Sequence, residues 1–441
     1  WLMLPLIWQK LLKISNVRLT IFSPPSFLIT IILIQQYLGF IFLYFEVDPF
    51  RVYLIGGKEN IIPVFLYSSF VITQILIGYI FSKECFGGNV IYFKMDQAIY
   101  FRLIKKEMYW IIFLLILGTS VLVKYISVIG YDNIPIFVLL NNFEFNDDFG
   151  VMRSNMTNNF SGSYHWYRIF MFDILRLACF SSYSIYLLKK SKKYLIIFLL
   201  AFVISSISSL ITSEKGPFLW NLISLYIVYC IIKYNGHFKF KRFFILGIIL
   251  LFIASIMYSK FLGISGVTNS LMSIFSRSIM GAITPLGSYI DIFPEKLDFL
   301  YGRSFPNPRG ILPFQHVELT QLVMDITIPD LKMNGIVGSR PTFFWGELYA
   351  NFGPFGLLLI PLLVGAFLYF LSTIIMSLPP SSLSIGFIVW FISYTSNLAK
   401  TSLSNFILPI KPGFVFIFMF MGLVFSGYYK TRNESMIKNN K

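Results

Sequence analysis

The stretch GSRPTFFWGELYANFGPFGLLLIP, residues 338–361, opens on polar residues and ends inside an apolar run. Arg340, Glu347 and Asn351 recur at spacings that place them on one face of a helix, and Pro341 marks where that helix starts. A continuous helix from there to residue 377 would run about 55 Å at ~1.5 Å per residue. That exceeds a hydrocarbon core of about 30 Å, so Gly353 and Pro354 are expected to break it. The polar part then stands at a membrane interface. Glu347 is expected there half sheltered, where a carboxylate can acquire the proton affinity of a useful base.

Outward from this stretch the chain keeps the same character. It has 441 residues, 56% of them hydrophobic and only 13% charged, with 49 Phe and 26 Tyr, and a mean hydropathy of +0.72. These values exclude a soluble domain, a disordered chain and a collagen-like repeat. Ten runs have the length and apolarity of spanning helices: 26–46, 62–82, 108–130, 166–188, 194–212, 217–234, 242–259, 354–377, 383–400 and 412–428. The reading is an all-α polytopic membrane protein. The chain opens on WLMLPLIWQ, which resembles the last turns of one more apolar helix, so an N-terminal piece is expected to be missing.

The formal charge of +16 sits in short clusters between the runs, so a nucleic-acid partner is not expected. Lys10, Lys13 and Arg18 precede the first run, Lys83 to Lys106 follow the second, Lys189 to Lys193 the fourth, Lys233 to Arg242 the sixth, and Lys430 to Lys441 close the chain. Every second connection is basic. By the positive-inside rule both ends are cytoplasmic. Two long external connections follow, 131–165 and 260–345. The second contains LMSIFSRSIMGAI and VELTQLVMDI, whose apolar spacing predicts short helices on the bilayer surface. No internal repeat or inverted pair of halves is visible, which weighs against a secondary transporter.

External cations are richer in arginine than cytoplasmic ones, and arginine forks match phosphate oxygens bidentately. Arg176 lies about ten residues into the fourth run, ~15 Å deep at 1.5 Å per residue. It must face protein or water, with Asp173 as an intrahelical counter-charge, and Arg168 continues the track upward. In SEKGP, 213–217, Lys215 precedes a helix start at Pro217 and makes an anion site with the free N–H groups there. In the larger loop Arg277, Arg303, Arg309 and His316 gather near Pro-stiffened sequence. Cys85, Cys179 and Cys230 have neither disulfide nor zinc spacing, and His165, His237 and His316 are too scattered for a metal triad. The pairs Glu46/Asp48 and Asp147/Asp148 are the only acidic groupings that invite a divalent cation; no metal and no cofactor is expected.

FSPPSFL at 22–28, SEKGP at 213–217 and GELYANFGPFG at 346–356, the last following a long external loop, resemble the Wzy-type O-antigen polymerases, or more broadly the oligosaccharide repeat-unit polymerases of bacterial envelopes. The resemblance covers nearly the whole chain as topology. It implies a glycosyltransferase C-like bundle in the bacterial inner membrane, acting on undecaprenyl-pyrophosphate-linked oligosaccharides at the outer leaflet without a metal, with a chain-length regulator as a protein partner. An incoming hydroxyl would attack the anomeric carbon of the growing chain and expel undecaprenyl pyrophosphate. On that reading Arg176, Lys215, Arg277, Arg303, Arg309 and Arg340 hold pyrophosphate, with Arg168 on the same track. Asn351 holds sugar, and Glu347 is the base with His316 as its rival. An O-antigen ligase-type glycosyltransferase and a lipid-linked oligosaccharide flippase are the alternatives.

Overall fold

The computed structural model describes residues 3–87, 97–142, 152, 156, 160, 163–211, 215–262, 266–307, 310–330, 338–407 and 410–428, with side chains at all of these except 97–103, 139–142, 215, 260–262 and 267. The molecule is 80% helical and without strands among these residues. Among the described residues ten helices are long and apolar enough to cross a membrane: Pro24–Tyr44, Lys58–Phe86, Ile104–Ile129, Tyr164–Lys189, Lys192–Leu210, Gly216–Tyr234, Phe240–Ser259, Phe344–Met376, Ser382–Ala399 and Leu403–Ser426. Each coincides with one of the ten apolar runs. The protein is an all-α polytopic membrane protein. A further helix, Met3–Ser15, carries the apolar N-terminal sequence.

Read as one domain in sequence, the chain groups into two units of internal contacts. The first comprises Trp1–Ile91, Thr268–Ile374 and Tyr394–Pro409. Here Gly78 and Gly365 face each other's helix: a Cβ at Gly78 would lie 2.0 Å from the Leu362 carbonyl oxygen, and one at Gly365 would lie 2.0 Å from that of Ile75. Backbones this close need small residues at the crossing, since in lipid it is packing rather than water exclusion that holds helices together. Hydrogen bonds inside the bundle add to it: Trp345 Nε1 donates to Ser68 Oγ at 3.2 Å, and Gln36 Nε2 to Ser69 Oγ at 3.2 Å. Phe355 and Leu363, on the same long helix, are 79% and 67% exposed in the bare protein. Such side chains suit contact with acyl chains.

The two amphipathic pieces of the larger loop belong to this unit and are helical. They form Val267–Phe275, continued by a π-helical turn at Ser276–Met280, and Leu319–Thr327. Between them Thr284–Ile292 is also helical and buries Leu286 and Tyr289.

The second unit comprises Tyr92–Val267, Ile375–Ser393 and Ile410–Lys441. In it the fourth span passes through a π-helical segment, Ile169–Ile174, before returning to α-helix at Leu175–Lys189. The wider turn shifts the register, so spacing in the sequence there does not translate into one α-helical face. Gly386 sits against Ser181 and the Leu177 carbonyl. Buried Glu107 accepts from the Ser382 backbone N–H at 3.1 Å, capping the Ser382–Thr395 helix from a neighbouring one.

Candidate functional site

The long helix containing Glu347 begins at Phe344, not at Pro341. The segment in front, 340–343, is not helical and is tied down by tertiary bonds. The Arg340 backbone N–H donates to the Thr320 carbonyl at 2.9 Å, the Arg340 carbonyl accepts from Tyr289 Oη at 3.1 Å, and Thr342 Oγ1 donates to the Ala282 carbonyl at 2.5 Å. Arg340 therefore does not share a helical face with Glu347 and Asn351. Arg340 is 6% exposed, and its guanidinium donates through Nη2 to the Leu54 carbonyl at 3.1 Å. Burial, and then the nearby Arg51 cation, push its pKa down to about 10, while Tyr289 opposes the shift; Arg340 stays charged at neutral pH. The expectation that it grips pyrophosphate gives way to a structural role, because the residue is buried and ties Leu54 through Nη2, while Nη1 is buried without a hydrogen-bond partner among the described residues. Arg340→Ala should lower stability by about 1–3 kcal/mol, the usual cost of orphaning buried partners, measured as a drop in thermal midpoint in detergent.

The predicted break is present. Gly353 has φ 59° and ψ −149° inside the Phe344–Met376 helix, and Pro354 follows it. Its consequence was not legible in the sequence. Pro354 has no N–H to give the Ala350 carbonyl, and the turn at Gly353 removes the helical partner of the Asn351 carbonyl. A loop takes both: Leu300 N–H donates to Ala350 O and Tyr301 N–H to Asn351 O, each at 3.0 Å. The Asn351 side chain secures the same loop, accepting from Gly302 N–H at 2.8 Å and donating to Ser304 Oγ at 2.7 Å. Its second amide hydrogen goes to the Glu347 carbonyl at 2.8 Å. Asn351 is fully buried and committed, so its expected sugar contact is corrected to an anchoring role.

That loop delivers Ser304 to Glu347. Glu347 is 3% exposed, more enclosed than the half-sheltered position expected. Its Oε1 accepts from Ser304 Oγ at 3.1 Å and from Ser404 Oγ at 2.5 Å, and its Oε2 accepts from the Ser404 N–H at 3.0 Å. These donors satisfy the carboxylate oxygens in place of water. Ser404 Oγ also lies 3.2 Å from Ser402 Oγ, an alternative partner towards which the hydroxyl can rotate.

A cavity of about 380 Å³ opens in front of this carboxylate, lined among others by Glu347, Ser304, Ser404, Tyr289, His316 and Glu318. Burial raises the pKa of Tyr289, reinforced by the Glu347 charge and opposed by Arg340. Both residues expected to compete as base, Glu347 and His316, thus line one cavity. His316 Nδ1 faces the Phe305 carbonyl and Nε2 faces Glu318 Oε1, each at 3.0 Å. Both ring nitrogens face acceptors, so a base role for His316 needs one of these contacts to open.

The remaining expected residues are dispersed. Arg303 is exposed, next in the chain to Ser304, with Nε on the Leu300 carbonyl at 3.2 Å. Arg277 is exposed on the π-helical turn. Arg309 lies outside the described residues, as do Asp147 and Asp148 and the Lys215 side chain; the helix beside the last begins at Lys215 itself, two positions before the expected Pro217. Glu46 pairs with Lys58, and Asp48 caps Pro49–Leu54 while accepting from Ser276 Oγ at 2.5 Å, so neither carboxylate is left for a cation. Among the described residues no three His, Cys, Asp or Glu converge.

In the second unit Arg176 donates to Ser209 Oγ at 3.3 Å and the Pro217 carbonyl at 3.1 Å, while Asp173 accepts from Trp390 Nε1 at 3.1 Å. Arg168, Asp173 and Arg176 all interact electrostatically with Lys411, a cation that the sequence reading passed over. An apolar groove of about 800 Å³ lies between the Ile104–Ile129 and Lys192–Leu210 helices, lined by Ile116, Val123, Leu200 and Ile204, with Lys124 beside them.

The fold and the cavity together define a polytopic membrane protein with a buried, hydrogen-bonded carboxylate facing a polar chamber. No family model, no curated protein and no solved structure matches the chain.

Proposed function

We propose that this protein is a membrane glycosyltransferase that joins lipid-pyrophosphate-linked oligosaccharide repeat units into a surface polysaccharide. The observation that carries the reading is the convergence of Glu347, Ser404, Ser304 and His316 on one polar cavity, from segments up to 100 residues apart (residues 304 and 404). A carboxylate held by hydroxyls beside a chamber lined with hydrogen-bonding groups suits a reaction whose difficult step is orienting a sugar hydroxyl and removing its proton.

In this reading the acceptor hydroxyl enters the cavity as Ser404 Oγ turns to Ser402 and frees Oε1 of Glu347. The hydroxyl oxygen attacks the anomeric carbon of the donor, the bond from that carbon to the pyrophosphate oxygen breaks, and the hydroxyl proton goes to Glu347. The electron pair leaves with the lipid pyrophosphate, already a good leaving group. No Lys or Arg lines the cavity among the described residues, so Arg303, exposed on the loop that carries Ser304, is the cation of this unit proposed to meet the departing charge. Lys would serve poorly there, since the fork is what matches two oxygens.

Purified protein supplied with lipid-linked repeat units tests the reading. Products longer than one repeat support it; transfer only to a lipid core identifies a ligase, and movement of intact units across the bilayer without new bonds identifies a flippase. The reading also requires residues 300–304 to lie outside the cytoplasm. Ser304 itself is buried, but Tyr301 is 72% exposed. Tyr301→Cys should react with a membrane-impermeant maleimide on intact cells whose outer membrane is permeabilised. Reaction only after the inner membrane is opened would overturn the topology.

A further inference from the structure

Several polar groups of the cavity are spent within the protein: Ser304 on Glu347, Thr342 on the Ala282 carbonyl, and the Asn307 amide on the carbonyls of Leu312 and Phe314. Others are not. The side chains of Thr320 and Asn405 make no hydrogen bond among the described residues, and Ser402 Oγ meets only Ser404 Oγ and the Asn405 N–H. Uncommitted hydroxyl and amide groups thus surround the space, with the rings of Tyr289 and Phe343 in its lining. A volume of about 380 Å³ lies near the lower end of the range of about 300–1,000 Å³ typical of small-molecule sites, suited to the end of a glycan rather than to a long lipid chain.

The charge in this lining has one sign to spare. Glu347 and Glu318 both face the cavity, the single cationic candidate, His316, is already engaged by Glu318, and Arg340 behind the wall is turned towards Leu54. An added carboxylate would meet Glu347 and Glu318 and no Lys or Arg in the described lining, and like charges a few ångströms apart in a sheltered space repel strongly. An added ammonium would be welcomed. Hydroxyls would replace their water partners with Thr320, Ser402 and Asn405.

We propose that the cavity is a subsite for the terminal sugar of the acceptor and selects neutral or amino-bearing rings over uronic acids; the proposal rests on the glycosyltransferase reading above. It is tested with the full-length protein in nanodiscs and three probes, the methyl glycosides of glucose, glucosamine and glucuronic acid, with binding read by saturation-transfer NMR titration. The glucoside and glucosaminide should bind, and the glucuronide should bind at least about tenfold more weakly, equivalent to about 1.4 kcal/mol. Asn405→Trp, at the exposed rim, should abolish glucoside binding without moving the elution volume or thermal midpoint. A glucuronide that binds as well as the glucoside, absence of binding by all three probes, or unchanged binding in Asn405→Trp would each overturn the proposal. Transfer from lipid-linked repeats, assayed in parallel, separates the two claims. Selective glycoside binding without transfer keeps the sugar site and sinks the transferase reading, whereas transfer without selectivity does the reverse.

Discussion

Glu347→Gln should reduce polymer formation by about 10² to 10⁴, the range over which a general base contributes. Glutamine keeps the size of the side chain, and its amide oxygen can still accept from the Ser304 and Ser404 hydroxyls, so the 300–304 loop and the insertion of the helix should survive. The capacity to take a proton is lost, together with the acceptor for the Ser404 N–H, so a modest fall in thermal midpoint should accompany the loss of turnover. The check is turnover of lipid-linked repeats by purified variant and parent, with thermal midpoints measured alongside. His316→Gln should be milder, because both ring nitrogens of His316 already face acceptors, Phe305 and Glu318. If Glu347→Gln polymerises normally and His316→Gln does not, the assignment of the base is wrong and the ring must leave one of those contacts during the reaction.

Gly353→Ala should be nearly as damaging although residue 353 does not line the cavity. The backbone there, φ 59° and ψ −149°, is one that an alanine adopts only at a cost of about 1–3 kcal/mol. The new methyl group would also lie 2.7 Å from the Phe299 ring. Either the variant pays this strain or the break relaxes. If it relaxes, the Ala350 and Asn351 carbonyls move away from Leu300 and Tyr301, and Ser304 leaves Glu347. A displacement of about 1 Å in a reacting constellation costs on the order of 10² in rate. The expected result is a lower thermal midpoint together with a turnover loss of that order. A Gly353→Ala protein with parental stability and turnover would show that the break does not set the position of Glu347.

Much of the architecture was legible from the chain. Each apolar run became a spanning helix, because in hydrocarbon a backbone can satisfy its polar groups only within itself. The break at Gly353 and Pro354 was legible for an equally local reason: one residue tolerates positive φ and the other lacks an N–H. The helical character of residues 271–283 and 317–326 followed from periodicity. Glu347 and His316 stood out because ionisable residues are scarce in so apolar a sequence.

The site's partners were a different matter. Ser304 and Ser404 are ordinary serines 43 and 57 residues from Glu347 in sequence, and nothing in SFPNP or TSLSN marks them as its donors. Ser404 sits in a short helix, Leu403–Ile407, between the apolar runs 383–400 and 412–428. Arg340 misled for the converse reason. Its spacing to Glu347 is helical, yet Arg340 donates to the Thr320 and Leu54 carbonyls and accepts from Tyr289, bonds that hold it buried outside the helix. Asp173 and Arg176 have a helical spacing too, but the π-helical turn through Ile169–Ile174 changes what that spacing means.

The sequence by itself determined that the described residues include ten helices long and apolar enough to span a membrane and where the Phe344–Met376 helix breaks, since those outcomes depend on hydropathy and on backbone freedoms that a few adjacent residues carry. Only the tertiary structure decided that the broken helix end would capture the 300–304 loop, that Asn351 would be an anchor and Arg340 an internal tie, and that Ser304 and Ser404 would converge on Glu347. Those outcomes depend on which distant segment satisfies each freed carbonyl, amide and charge, and no local pattern encodes the choice of partner.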